Sequence, residues 1–302
     1  MNSVNILTKF YAHLHSYTYV PFWVLTPLRK FIRSISRIIL PRYLAKPIKL
    51  QIKKETEILV SLTSFPARIN NVWQVVECMF RQTYKPRKII LWLSKDQFPD
   101  FNSIPRTLLD RVGDLFEIRI VEGDIRSHKK YYYVSKENPD SLIFLIDDDI
   151  YYPSDILERT VNMYDKYPNS IICNYGYHIG YEIDGSLKPY KQWKHEENFS
   201  EESDLFFGSG GGTLFVPNTL YKDLTNIVVA RDLCPIADDI WLNAMVRLAN
   251  KSIVIVKNGN ILPVFNSNNA TLSSINVTQM KNDQQINSIE KHYKMPVFTI
   301  KH

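Results

Sequence analysis

The sequence predicts an α/β protein built on a mainly parallel sheet covered by helices on both faces, with a basic amphipathic arm at its N-terminus. Short, largely apolar runs of strand length recur from residue 57 onward, and stretches of helical period alternate with them. No internal repeat or flexible interdomain linker interrupts the alternation. The 302 residues, 45% hydrophobic and 23% charged, suffice for such a core.

The arm comes first in the chain. Residues 1–54 carry ten bases and no acid, which leaves 27 of the 37 bases against 31 acids in the rest, a balance of −4 inside a chain of net charge +6. A mildly acidic body argues against a nucleic-acid binder. Leu28, Phe31, Ile32, Ile35, Ile38 and Ile39 fall at helical spacing with Arg29, Lys30, Arg33 and Arg37 between them, predicting a basic amphipathic helix closed by Pro41. Tyr17, Tyr19, Phe22 and Trp23 upstream are residues that favour lipid headgroups. The arm is therefore expected on an anionic membrane surface, where each base contributes about 1 kcal/mol. A helix docked on the body with a solvated basic face is the competing account. No uncharged run reaches the ~20 residues a bilayer span needs, and no secretory pattern is present. The expected location is cytoplasmic, peripheral on the inner face of the cell membrane. Cys78, Cys173 and Cys234 are too few and too scattered for a disulfide framework or a CxxC metal site.

In the body, residues 57–63 predict a first buried strand and 71–82 a helix. Residues 88–93, 116–121 and 141–146 predict three more strands, with a helix over 127–136 between the last two. A helix over 154–167, capped by Ser154, and a strand over 170–174 follow. Residues 175–207 show no sustained period and are expected to form an inserted lid or acceptor loop. A helix over 236–249, a strand over 252–256, mostly loop over 258–287 and a helix near 281–292 complete the chain.

The strongest chemical signal is Asp147-Asp148-Asp149, directly after the apolar LIFLI run. Ligands of open α/β sheets bind at the carboxyl ends of strands, and three adjacent carboxylates there call for a cation. Hard oxygen ligands suit Mn²⁺ or Mg²⁺ held together with substrate phosphates. In an extended chain Asp147 and Asp149 would point the same way and share a ligand. A solvated acidic turn is the alternative. No P-loop and no GxGxxG follows a strand, which excludes those nucleotide-binding classes. The first strand instead ends in Ser61-Leu62-Thr63-Ser64-Phe65-Pro66-Ala67-Arg68, suited to a base, ribose or phosphate or simply to a turn. Arg126-Ser127-His128-Lys129-Lys130 places bases at a helix N-terminus, against the dipole. Four of the chain's 10 glycines fall in Gly208-Ser209-Gly210-Gly211-Gly212, permitting either close approach to a ligand or a bulge. Asp238-Asp239 opens a helix, where one acid serves as a routine cap and a second is free to accept a proton.

At these residues the chain resembles the nucleotide-sugar-dependent glycosyltransferases of GT-A fold, in particular family-two-like bacterial enzymes of surface (capsular or O-antigen type) polysaccharide assembly. VSLTSFPARI (60–69), RQTYKPRKIILWLS (81–94), RSHKKYYY (126–133), LIDDDIYYP (145–153) and CPIADDIWLNAM (234–245) look like successive blocks of that group. The resemblance spans roughly residues 57–294. It leaves out the basic arm at 1–54 and implies a GT-A domain at 55–302, divided into a nucleotide-binding half (55–150) and an acceptor half (151–302). It also implies a nucleoside-diphosphate sugar donor, a glycan or lipid-linked saccharide acceptor and a Mn²⁺ or Mg²⁺ cofactor. Asp147-Asp148-Asp149 would play the DxD part, with Asp149 on the metal and Asp147 on the ribose or a metal-bound water. Thr63, Phe65 and Arg68 would lie along the nucleotide, Lys129 and Lys130 near it, and Asp239 would be the base of an inverting reaction. Asp238 stands where the family has Glu, and His292 is the candidate for a further metal ligand. Rival readings are a nucleotide-sugar hydrolase, a nucleotidyltransferase, and a non-catalytic membrane-bound scaffold.

Overall fold

The computed structural model describes residues 2–14, 22–47, 52–196, 198–257, 260–263 and 281–299. Tyr17, Tyr19 and Lys49 of the arm, and residues 258–259 and 264–280 of the loop expected over 258–287, lie outside them. Every strand expected from an apolar run forms: β1 (Leu59–Thr63), β2 (Lys88–Ser94), β3 (Phe116–Val121), β4 (Ile143–Ile146), β5 (Ile171–Cys173) and β7 (Ile253–Ile255). The glycine run feeds β6 (Gly211–Phe215). These make one seven-stranded sheet in the order β7-β5-β6-β4-β1-β2-β3, parallel except for β6, which runs against both neighbours. It is a mainly parallel α/β sheet compatible with a Rossmann-like GT-A architecture.

The helices are α1 (Ser3–His13), α2 (Phe22–Leu44), α3 (Val72–Phe80), α4 (Lys129–Glu137), α5 (Ile156–Lys166), α6 (Ile227–Leu233), α7 (Asp238–Leu248) and α8 (Lys281–Tyr293). They cover the sheet on both sides because its strands are buried on both. Val60 and Leu62 of β1 pack in one apolar layer with Val72, Val75 and Val76 of α3 and Leu157 of α5. Leu59 packs in the other with Val134 of α4, Trp241 and Met245 of α7 and Ile289 of α8. Period-two alternation along β1 thus serves two cores.

The arm joins the first of these layers. Val4, Tyr11 and Leu14 of α1 and Leu25, Ile32, Leu40 and Leu44 of α2 are buried in it. The buried stripe of α2 accordingly runs through Leu25, Ile32, Leu40 and Leu44, while Trp23, Phe31 and Ile38 stay 76%, 60% and 56% exposed. Pro41 lies inside α2 and does not close it. Burial of Leu44, and the Arg81 guanidinium that donates to the carbonyls of Leu44 (2.6 Å) and Lys46 (2.9 Å), hold the last turn despite the missing N–H. Ser154 does not cap α5, whose N-cap is Asp155 without a side-chain bond. Its hydroxyl accepts from the Asn5 amide (2.9 Å) and its backbone N–H donates to the Asn5 oxygen (2.8 Å), tying α1 to the body.

Within the segment expected to lack periodic structure, Gly176–His178 pairs antiparallel with Lys194–Glu196 on one side and Leu205–Phe207 on the other. Ile150–Tyr151 pairs with Leu262–Pro263. Among the described residues no helix is long and apolar enough to cross a membrane.

Candidate active site

The parallel register decides what meets at the carboxyl edge. Leu59 pairs with both Lys88 and Ile143, and carrying the second pairing forward brings Thr63 and Ser64 beside Asp147 and Asp148. The Thr63 hydroxyl donates to the Trp92 carbonyl (2.8 Å), closing the end of β1 onto β2. Ser64 donates to Asp148 at 2.5 Å, and Arg68, lying over the Phe65 ring, reaches Asp148 at 2.7 Å and Asp149 at 2.9 Å. The chain turns at Asp148-Asp149 instead of staying extended. Asp148 and Asp149 therefore converge on Arg68 while Asp147 goes elsewhere, and the simple alternation does not hold.

Asp147 meets Lys130. The Lys130 ammonium, buried at the start of α4, lies 2.7 Å from Asp147 and 2.9 Å from Asp238. Burial opposes its charge, but Asp147, Asp238 and Asp239 together outweigh burial and raise its pKa. Lys129 turns to Asp124 instead and is ion-paired there. The position of α4 follows from Ser61 in β1, whose hydroxyl donates to the Lys130 carbonyl (2.5 Å) and accepts from the Trp92 indole (2.9 Å).

The second acid pair is organised by the glycine run. Asp239 accepts from the Ser209 backbone N–H (2.8 Å) and hydroxyl (2.5 Å), and that hydroxyl also lies 3.0 Å from Asp238. Neither acid is the cap of α7, a position held by Ala237 without a side-chain bond. Two glycines explain the loop. A Cβ on Gly210 would fall 1.8 Å from an Asp147 oxygen, and Gly212 has φ +98° where the β4–β6 register shifts by a bulge. Both uses expected of the run, close approach and bulge, are present at different residues.

Burial raises the Asp239 carboxyl to about 6, with Asp238 adding and Lys130 opposing. For Asp238 burial acts in the same sense, yet Lys130 and His128 hold it below the usual carboxylate range. Neighbouring carboxyls driven apart in this way divide their roles between a permanent anion and a proton acceptor. Burial, Asp148 and Asp147 push Asp149 up to about 7, and burial raises Asp148 against Arg68 and Ser64.

A cavity of about 300 Å³ opens on Asp147, Asp239 and Gly210, with Tyr175, His195, Glu196 and, from the arm, Tyr11 and Ala12 in its lining. None of Thr63, Phe65, Arg68, Lys129, Asp148 and Asp149 lines it. The nucleotide candidates and Asp239 thus flank Asp147 and Lys130 from two sides. His292 is exposed on the last turn of α8, its ring edge-on to Tyr293.

The acids fit a hard divalent ion. Asp147, Asp148, Asp149, Asp238 and Asp239 are answered by two bases, half-buried Arg68 and buried Lys130, and offer only oxygen. Among the described residues another group, His178, Glu202 and Asp204, brings one ligand atom from each within 4.8 Å. His178 there lies 3.0 Å from both Asp204 and Glu196, and although burial opposes its charge, the two carboxylates raise its pKa. Both ring nitrogens of His178 are engaged by carboxylates, and an ion of the Mn²⁺ or Mg²⁺ type prefers oxygen donors alone. The acids at the sheet edge are the better ion site.

No protein-family profile and no curated protein matches the sequence. The fold is similar, loosely, to several solved structures. A UDP-glucose pyrophosphorylase complexed with UDP-glucose aligns at 12% identity and TM-score 0.37 over 80% of this chain and 99% of that one. HddC from Yersinia pseudotuberculosis, complexed with GMP-PN, aligns at 11% identity and TM-score 0.35 over 54% of this chain and 78% of that one. The mannosyltransferase PcManGT from Pyrobaculum calidifontis, in complex with GDP-Man and Mn²⁺, aligns at 12% identity and TM-score 0.42 over 83% of this chain and 67% of that one. At these values no residue role is carried across, and the functional reading rests on the site.

Several site residues had no signal of their own in the sequence. Ser64 and Ser209 are common residue types in turn-like stretches, and Tyr152, whose hydroxyl accepts from the Asp147 backbone N–H (2.8 Å), resembles any core aromatic. Tyr11, Tyr175 and His195 become site residues only by where the chain places them.

Proposed function

We propose that the chain transfers a glycosyl group, with inversion, from a nucleoside-diphosphate sugar to a hydroxyl of a glycan or lipid-linked saccharide, as an enzyme of bacterial surface polysaccharide synthesis. The observation that carries the proposal is Asp239: a half-buried carboxyl poised at about 6, held by Ser209 and lining the cavity that Asp147 enters. A base so tuned takes a proton near neutral pH. Asp239 accepts the proton of the acceptor hydroxyl, whose oxygen forms the new bond to the anomeric carbon as the bond to the leaving diphosphate breaks. Ser209 fixes the carboxylate that receives the proton, and Lys130 pairs with Asp147 and keeps Asp238 ionised beside it. Thr63, Phe65 and Arg68 flank the acids as the nucleotide side, with Lys129 and Asp148 bracing that side through Asp124 and Ser64. A divalent ion, Mn²⁺ or Mg²⁺, on Asp149, with Asp147 on the ribose or a metal-bound water, would supply charge compensation for the departing diphosphate.

The exposed side of α2 supports a membrane partner for the same protein. Trp23, Phe31, Ile38 and Ile39 stand exposed among Lys30, Arg37 and Arg42, with no acid in the arm, a combination suited to an anionic bilayer on the inner face of the cell membrane.

The deciding experiment is a panel of UDP- and GDP-sugars with Mn²⁺, read by release of the nucleoside diphosphate with and without saccharide acceptors. Acceptor-dependent release is expected. Release indifferent to acceptor would point to a hydrolase, pyrophosphate from a sugar phosphate and nucleoside triphosphate to a nucleotidyltransferase, and no turnover of any donor to a scaffold.

A further inference from the structure

The sequence resemblance begins near residue 57 and leaves the first two helices outside the catalytic unit. Their packing joins them to it. The Asp triad leads into Ile150–Tyr151, which pairs with Leu262–Pro263, and that short strand packs on α1. Ile150 and Pro263 line the cavity together with Tyr11 and Ala12. Helix α1 is held there by burial of Val4 and Leu14, by the Asn5–Ser154 pair, and by Arg29 of α2, which donates to the Leu14 carbonyl (2.7 Å). A wall fixed from three directions is part of the site and not a tether beside it.

We infer that α1 is the acceptor-side wall of the reaction cavity: the saccharide that offers its hydroxyl to Asp239 lies against Tyr11 and Ala12. The inference rests on the glycosyl-transfer reading. Asp239, which must touch the acceptor hydroxyl, lines this cavity, whereas the nucleotide-side residues Thr63, Phe65 and Arg68 do not. Tyr175 and His195 add aromatic surface to the same cavity, their ring centroids 4.5 Å apart, and the Tyr175 hydroxyl is fixed on that of Tyr177 at 2.6 Å. Aromatic side chains with an apolar body and a polar tip match the mixed surface of a sugar ring. On the outside of the same helix Ile6, Lys9 and Phe10 are exposed, so α1 borders the cavity on one face and solvent or bilayer on another.

Two variants of the full chain test this. Ala12→Phe pushes bulk into the cavity from a half-buried position, and Tyr11→Ala removes the wall. Transfer is assayed with the donor that the panel identifies, Mn²⁺, and membranes of the producing cells as acceptor, and nucleoside-diphosphate binding is titrated separately with Mn²⁺. We expect kcat/KM for acceptor to fall about tenfold or more, with unchanged nucleoside-diphosphate binding and thermal midpoint for Ala12→Phe. Full transfer by a folded Ala12→Phe variant would overturn the inference. So would a parallel loss of nucleoside-diphosphate binding in both variants, which would make α1 a structural brace only. If the unmodified chain transfers to no acceptor, the glycosyl-transfer reading falls first, and this inference with it.

Discussion

The two acid clusters at the carboxyl edge of the sheet look alike in sequence and behave differently in space. Asp147-Asp148-Asp149 crowds three carboxylates at the end of a buried strand, and Arg68 and Lys130 reach it from other elements. Asp238-Asp239 opens a helix, where Lys130 holds one member ionised and Ser209 grips the other. The triad is left with excess negative charge, which suits an ion and a diphosphate. The pair is left with one acid of about 6, which suits a proton. Adjacency of carboxylates alone does not determine chemistry; the cations that reach them do.

The comparison can be broken from the base end. Asp239→Asn should lower transfer by about 10²–10⁴-fold while leaving Mn²⁺-dependent binding of the nucleoside diphosphate intact. Undiminished transfer would remove Asp239 from the base role. The shared cation comes next. Lys130→Met leaves Asp147 and Asp238 facing each other without their common partner, and should cost about 3–5 kcal/mol in urea unfolding. A loss below about 1 kcal/mol would mean the two clusters are not coupled through it.

Asp149 separates the clusters by pH and metal. Its carboxyl, raised to about 7, binds a proton more tightly folded than unfolded. In chelator its stabilising contribution is therefore fully present below the unfolded pKa of about 3.9 and is lost as pH rises through about 7. Mn²⁺ should then raise the thermal midpoint at pH 7, and Asp149→Asn should raise it without metal and abolish the Mn²⁺ response. A chelator-insensitive midpoint in the unmodified protein would sink the metal assignment. The smallest effect is a profile: kcat/KM for acceptor should climb as pH rises through about 6 and then level, following ionisation of Asp239. Asp239→Glu, if active, should shift that limb, whereas a limb that stays in place belongs to another group.

Much of the fold was legible because strands buried on both faces must be largely apolar, and β1, β2, β4, β5 and β7 were found within a residue or two of their apolar runs, while the edge strand β3 alternates apolar and charged residues at its expected bounds. The candidate chemistry was legible where acids stand at the end of such a strand or the start of a helix. The arm was half legible. Its helical period and its basic charge were plain, but which apolar residues face the protein was not, since Ile32 and Ile38 are equivalent in type and only docking buries the first. Pro41 and Ser154 were read by their usual local roles, and tertiary contacts from Arg81 and Asn5 overrode both.

From sequence alone come the α/β alternation, the acids at the strand and helix ends, and the separation of a basic arm from a mildly acidic body. These depend on neighbours a few residues apart, where periodicity and local chemistry act. Only the tertiary structure decided that one buried lysine serves both acid clusters, that Ser209 holds Asp239, and that α1 walls the cavity. Lys130 meets Asp238 from 108 positions away, and Asn5 meets Ser154 across 149. Contacts at such separations are set by how the sheet edge and its covering helices converge, and no local pattern encodes them.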